Sequence, residues 1–392
     1  MGIAAFARAA APVRLPAKLV AALVNGALLL GSVSVALGVC EILVRTVAPQ
    51  QLVVVRPDIW QPDDSTGWRS RANLHTKANW GERTVHVYTD RDGFRVGNAG
   101  RHEADTRVLL IGDSFVAALQ VEYEQSLAGL LEAGLPERLG RPVAIRNAGQ
   151  NGWDPPQYFL EARSLLRRGA FDLALVFLYL GNDVVNVRPS RIRAWIPQDV
   201  RIAEFRWPHR LTWPEITAAV LRPVNDNLKR RSHLYIFVKT RLQTTLMRLG
   251  LSPDYFPEEF TRREATSSRW DLTADICRDI AALASQQGIP TLFVLLPAPF
   301  QVDSDTFQQF LRGFGIDSAT VDLDQPTRLM RQRLEVRHLG VLDALPAFRA
   351  AARAGTRLFG RVDRHLSPAG HAVLDSLVEP AVTRLLEHGA AR

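Results

Sequence analysis

Four short segments hold residue types that together perform acyl chemistry. In Gly112-Asp113-Ser114-Phe115, a serine follows directly on the apolar run Val108 to Ile111. A hydroxyl is a weak nucleophile at neutral pH unless a base takes its proton. At a strand end that opens a helix, it also meets free backbone N–H groups and the positive end of the helix dipole. The base is offered near the other end of the chain, in Asp363-Arg364-His365-Leu366-Ser367-Pro368-Ala369-Gly370-His371. An imidazole titrates near neutrality, and a carboxylate beside it fixes its tautomer and steadies the imidazolium. Ser367 and Pro368 then read as the cap and first residue of a helix. His371 is expected to be a surface or satisfied core residue.

Two segments between these would handle the charge that develops on a carbonyl oxygen. Asn147-Ala148-Gly149-Gln150-Asn151-Gly152 is rich in glycine, which lets backbone approach a reacting group, and Gly152 has an N–H to donate. Leu180-Gly181-Asn182-Asp183 offers the Asn182 amide, a donor that does not titrate. The expected catalytic residues are Ser114, His365 and Asp363. The expected oxyanion donors are the N–H groups of Ser114 and Gly152 and the side chain of Asn182. Taken singly, each segment reads as an ordinary turn or helix cap; their order and placement argue for a site.

The elements around them supply the placement. Val108–Ile111, Val143–Asn147, Leu173–Tyr179 and Thr291–Leu296 are short apolar runs suited to buried parallel strands. Helical periodicity follows the first. Helices are expected near 156–168, from about 272 to 286, and from about 368 to 386. Strands alternating with helices predict an α/β fold with a parallel sheet, whose ligands bind beyond the carboxyl ends of the strands. Each of the four segments falls just after such a strand or just before a helix. Thr84 to Tyr88 alternates with period two and leads into Asp90-Arg91-Asp92-Gly93-Phe94-Arg95, a strand and a turn.

These blocks, in this order, resemble those of the SGNH (GDSL-like) hydrolase superfamily, which carry Ser, Gly, Asn and His in turn. The resemblance covers roughly residues 106 to 386. The Asp-x-His-Leu-Ser-x-x-Gly-His ending, the Gly-Asp-Ser-Phe opening and the Asp-x-x-Gly-Phe-Arg lead-in are similar to a bacterial, membrane-anchored branch. The resemblance implies a three-layer, flavodoxin-like sandwich with a central parallel sheet. It also implies an acyl-enzyme on Ser114 that forms without metal or cofactor. Many members place the acid three residues before the histidine. Here that position is Val362, and Asp363 stands two before His365. If Asp363 fails to reach Nδ1, a backbone carbonyl is the alternative partner.

The N-terminus points to a membrane. Leu19 to Cys40 is 22 residues without a charge, and a helix of that length spans a hydrocarbon core of roughly 30 Å. Arg8, Arg14 and Lys18 precede it, which by the positive-inside rule puts residues 1–18 in the cytoplasm. The expected layout is a single-pass signal-anchor at 19–40 in the inner membrane, a linker and ordered extension at 41–105, and a catalytic domain at 106–392. That domain would be periplasmic or extracellular. A cleaved signal peptide, cut near Ser34-Val35-Ala36, is the competing reading. Val39 before Cys40 argues against lipidation. Cys40 and Cys277 are not expected to pair.

A segment at about 188–265 interrupts the alternation and reads as an insertion over the active face. From Arg188 to Arg248 it holds 13 Lys or Arg against four Asp or Glu, with Trp195, Trp207 and Trp213. It is either a solvated basic surface or a cap for anionic lipid or acidic polysaccharide. The overall charge of +8 comes almost wholly from arginine, and no zinc spacing, helix-turn-helix or RNA-binding aromatic motif accompanies it, so nucleic acid is not an expected partner. The expected substrate is an acylated small molecule or carbohydrate. Water as acceptor would make the chain an esterase, and a sugar hydroxyl an O-acyltransferase of an exported polysaccharide. A non-catalytic binding protein of the same fold is the third possibility. Oligomeric state is not legible.

Overall fold

The computed structural model describes residues 16–48, 59–80, 83–100, 102–167, 171–184, 187, 221, 224–225, 227–228, 231–248, 258–360 and 363–389. Arg8 and Arg14 lie outside these residues, as do Trp195, Trp207, Trp213 and most of the basic insertion. A long helix α1 (Ala17–Val47) comes first. A small hairpin follows, β1 (Trp60–Asp63) with β2 (Gly67–Ser70), then β3 (His75–Asn79), β4 (Thr84–Thr89) and β5 (Arg95–Val96). The α/β alternation runs β6 (Thr106–Ile111), α2 (Ser114–Ala117), α3 (Leu127–Leu139), β7 (Val143–Asn147), α4 (Pro155–Leu166) and β8 (Leu173–Tyr179). After α5 (His233–Arg248) come α6 (Arg269–Ser285), β9 (Thr291–Leu296), α7 (Ser304–Phe314), α8 (Gln325–Val336), β10 (Val341–Asp343), α9 (Leu345–Arg353) and α10 (Pro368–Gly389).

The main sheet has the order β10-β9-β8-β6-β7-β5-β4-β3. Its first five strands are parallel. The last three are antiparallel, so the sheet is mixed rather than wholly parallel. The antiparallel edge comes from the segment expected to be an extension: β5 pairs with β7 at Arg95 and Asn147, which makes residues 75–96 part of the sheet.

The apolar runs are buried on both faces. Leu109 and Ile111 of β6, with Val176 and Leu178 of β8, pack under α4, α6 and α8. Val108 and Leu110, with Leu175 and Phe177, pack under α3, α9 and α10. Alternate side chains along one strand thus feed two separate cores, the condition for three layers. Between β7 and β8 the chain crosses to the other side of β6. The tip of β6 is therefore the switch point of the sheet, where an open α/β fold leaves a crevice.

The insertion re-enters the domain by residue 258, because Phe260 is fully buried beside Ala298, Phe300 and Leu311. At the other end of the sheet order, the Asp90 lead-in is internally braced. Its carboxylate accepts from the N–H groups of Asp92 and Phe94 and from the Arg146 guanidinium of β7, at 2.6 Å. Both charged side chains are buried. Asp90→Ala would leave Arg146 without that partner in the interior, and we expect it to destabilise the fold by about 3–5 kcal/mol. A urea titration reads this as a lower midpoint at unchanged slope.

Candidate active site

Ser114 opens α2 directly beyond β6, and Asp113 caps that helix by accepting from the Phe115 N–H at 2.9 Å. Four residues make too few hydrogen bonds to stand alone. The surroundings hold them instead. Arg95, buried, donates to the carbonyls of Ala117, Ala118 and Val121 at the far end of the turn. Asn147 donates to the Val116 carbonyl at 2.9 Å, and its side-chain oxygen accepts from the Gly149 N–H. Gly149 lies so close to α2 that an added Cβ would come within 2.4 Å of the Ala117 nitrogen. The glycine the sequence offered for close approach is thus used on the helix of Ser114 itself. Sequence reasoning named neither Arg95 nor Asn147 for this task.

His365 meets Ser114 across 251 positions of chain. Its Nε2 lies 2.7 Å from the Ser114 Oγ. Its ring rests on Phe115, with centroids 4.8 Å apart, and Phe115 in turn stacks on Tyr179. On the other side, Nδ1 lies 3.1 Å from an Asp363 carboxylate oxygen. The contact is close but not aligned as a hydrogen bond, and both atoms are buried without a hydrogen-bond partner among the described residues. The two-residue spacing works because Arg364 between them adopts a left-handed backbone, φ 61°. That turn is closed by the Gly360 N–H on the His365 carbonyl and by a bridge between Phe359 and Leu366. A left-handed arginine costs of order 1 kcal/mol, so its surroundings must impose it. Part of them is Phe310 of α7, under the Arg364 guanidinium at 4.8 Å.

All four segments sit at the carboxyl ends of β6, β7 and β8 or on the loop that leads into α10. Among solved structures, the chain is similar to TesA, at 12% identity over 71% of this chain and 99% of that one, with a TM-score of 0.36. It is similar to LAE5, an α/β hydrolase enzyme from the metagenome of Lake Arreo, Spain, at 14% identity over 73% and 98%, TM-score 0.40. It is also similar to the acetyl xylan esterase AlAXEase, at 13% identity over 70% and 99%, TM-score 0.39. Neither a scan against protein-family models nor a search of curated proteins gives a match.

The Gly block lies in the loop after β7. Gly152 has φ +77°, a conformation glycine adopts without strain. The β2 hairpin clamps this loop: Trp68 donates from its indole to the Asn151 carbonyl, Ser70 donates to Gln150, and Trp153 donates back to the Trp68 carbonyl. The Asn block is the turn after β8, where Asn182 has its side-chain oxygen buried without a partner among the described residues. A cleft beside His365 is walled by Trp80, Arg83, Gln120, Gly360 and Asp363. Among the described residues no cluster of three or more His, Cys, Asp or Glu is placed to hold a metal ion.

Three buried groups under the site titrate abnormally. Burial pushes the Asp113 carboxyl up to about 6, against the pull of the Phe115 N–H and of His365. Burial, reinforced by Asp113 and Asp154, holds Asp183 well above the usual carboxylate range, with the Tyr158 hydroxyl and Tyr179 N–H as its donors. His371 is fully buried and accepts from the Leu127 N–H, so it caps α3 as a neutral ring. Burial, then the charges of Arg95 and His365, lower it to about 3. A depressed histidine stabilises the fold above its free value near 6.5 and loses that contribution as pH falls from there towards 3. The slope is up to about 1.4 kcal/mol per pH unit. Denaturant titrations between pH 7 and 4.5 should therefore show wild type losing stability more steeply than His371→Gln.

Proposed function

We propose that the chain is a membrane-anchored serine esterase of the SGNH type, acting on O-acyl esters through an acyl-enzyme at Ser114. The observation that carries this reading is the 2.7 Å contact between Ser114 Oγ and His365 Nε2, with the Asp363 carboxylate on the opposite ring nitrogen. For Nε2 to accept the serine proton, Nδ1 must hold the other one. A carboxylate 3.1 Å away favours that tautomer and the imidazolium that follows.

In the proposed reaction, Ser114 Oγ attacks the ester carbonyl as its proton passes to His365. The oxyanion is stabilised by the N–H groups of Ser114 and Gly152 and by the Asn182 amide. The intermediate collapses to the acyl-enzyme as His365 returns the proton to the departing alcohol. A second hydroxyl compound, deprotonated by the same ring, then attacks and releases the acyl group. Water as that acceptor gives hydrolysis, and a sugar hydroxyl gives transfer. The anchor in this reading is α1, uncharged from Leu19 to Cys40, with the catalytic domain on the far side of the membrane from residues 1–18.

With a short p-nitrophenyl ester, Ser114→Ala should lower kcat by on the order of 10⁴–10⁶. Asn182→Ala should lower it by on the order of 10²–10³ without changing the unfolding midpoint. A fluorophosphonate should add to Ser114 in wild type and to nothing in Ser114→Ala, as read by mass spectrometry. Equal hydrolysis by wild type and Ser114→Ala, with no label on Ser114, would leave the fold without esterase activity.

A further inference from the structure

The far end of α1 is built into the insertion. Glu41, the first charged residue after the uncharged run, accepts from Ser232 Oγ at 2.7 Å and from the N–H groups of His233 and Leu234, both at 2.9 Å. One helical turn further on, Arg45 donates to the Arg231 carbonyl. Glu41 thereby caps the first turn of α5, where a carboxylate meets both free N–H groups and the positive helix end. α5 also packs against α7, the helix whose Phe310 lies under Arg364 beside His365. The insertion thus bridges the membrane helix and the wall of the site.

The apolar residues of this bridge face outward. Among the described residues, every large apolar side chain that is exposed lies on α1 or between 221 and 242, Val336 alone excepted. Leu221, Val224 and Leu228 are helical and spaced to share one face. On α5, Val238 is 50% exposed and Leu242 56%, four residues apart. Cations flank them: Lys239 lies over the Tyr235 ring at 5.7 Å and Arg241 over Phe237 at 4.8 Å. Lys239 also reaches Asn225, which the Tyr235 hydroxyl shares, tying the two helical stretches together. Apolar residues flanked by aromatic rings and long cations, fixed where a membrane helix leaves the hydrocarbon, match the chemistry of a bilayer interface.

We propose that α5, with Leu221, Val224 and Leu228, forms a second membrane contact, with Val238 and Leu242 seated in the interface of the bilayer that α1 crosses. Through α7 this contact holds the mouth of the site against the membrane surface, within reach of esters carried by lipids. The proposal rests on the anchored reading of α1, and its test separates the two. The full chain is placed in nanodiscs of phosphatidylcholine and phosphatidylglycerol, and an environment-sensitive fluorophore is attached in turn to native Cys40, and to Val238→Cys, Leu242→Cys and Val336→Cys in a Cys40→Ser background. Cys277 is fully buried and does not compete. We expect blue-shifted emission and quenching by spin-labelled lipid at 40, 238 and 242, and neither at 336. Quenching at 40 with water-like emission at 238 and 242 would overturn the second contact and leave the anchor standing. Water-like emission at 40 as well would overturn both.

Discussion

A helix of one turn cannot hold its own shape, yet the position of Ser114 depends on one. Nucleation fixes several residues for very few hydrogen bonds, and Ser114–Ala117 never grows long enough to repay it. The surrounding chain meets the deficit. Asp113 caps one end, Arg95 gathers three carbonyls at the other, and Asn147 takes a fourth between them. Gly149 lets the β7 loop lie against the turn without a side chain in the way. The precision of the serine is thus a property of β5 and β7, and only secondarily of its own segment.

The same division governs the histidine. His365 is carried by a loop rather than by a strand or helix, and a loop is an imprecise support unless it is cross-braced. Here the bracing comes from the Phe359–Leu366 bridge, the left-handed Arg364 and the ring of Phe115 beneath the imidazole. Phe115 is the residue after the serine, so the Ser114 and His365 side chains are packed on a common piece of structure. Asp113 and Asp183 lie beneath them as buried acids whose burial favours the neutral form.

Much of this was legible from residue order. The apolar runs at 108–111, 143–147, 173–179 and 291–296 are strands, because a strand buried on both faces must be continuously apolar. Ser114 and His365 stood out because their types sit where strands or helices end. What escaped was non-local. Arg95 reads as a polar residue after a turn, and its role exists only because β5 pairs antiparallel with β7. His75-Thr76-Lys77-Ala78-Asn79 carries no apolar alternation, and β10 is three residues long, too short to show a period. The helices between 304 and 353 were not separated either, since Gly, Pro and arginine interrupt their pattern.

The residues before the first parallel strand are structural members of the unit that holds Ser114 and His365. Ile59, Val85 and Val87 share a small core with Ala117 and Leu119, directly beyond the serine turn, while Trp68 and Ser70 grip the loop of Gly152. A fragment trimmed back to Thr106 would keep every residue to which the proposed reaction gives a part. It would nonetheless lose one wall of the cleft, the brace of the glycine loop and the guanidinium that closes the serine helix. The unit that supports Ser114 therefore reaches back at least to residue 59, half a hundred positions upstream of the serine.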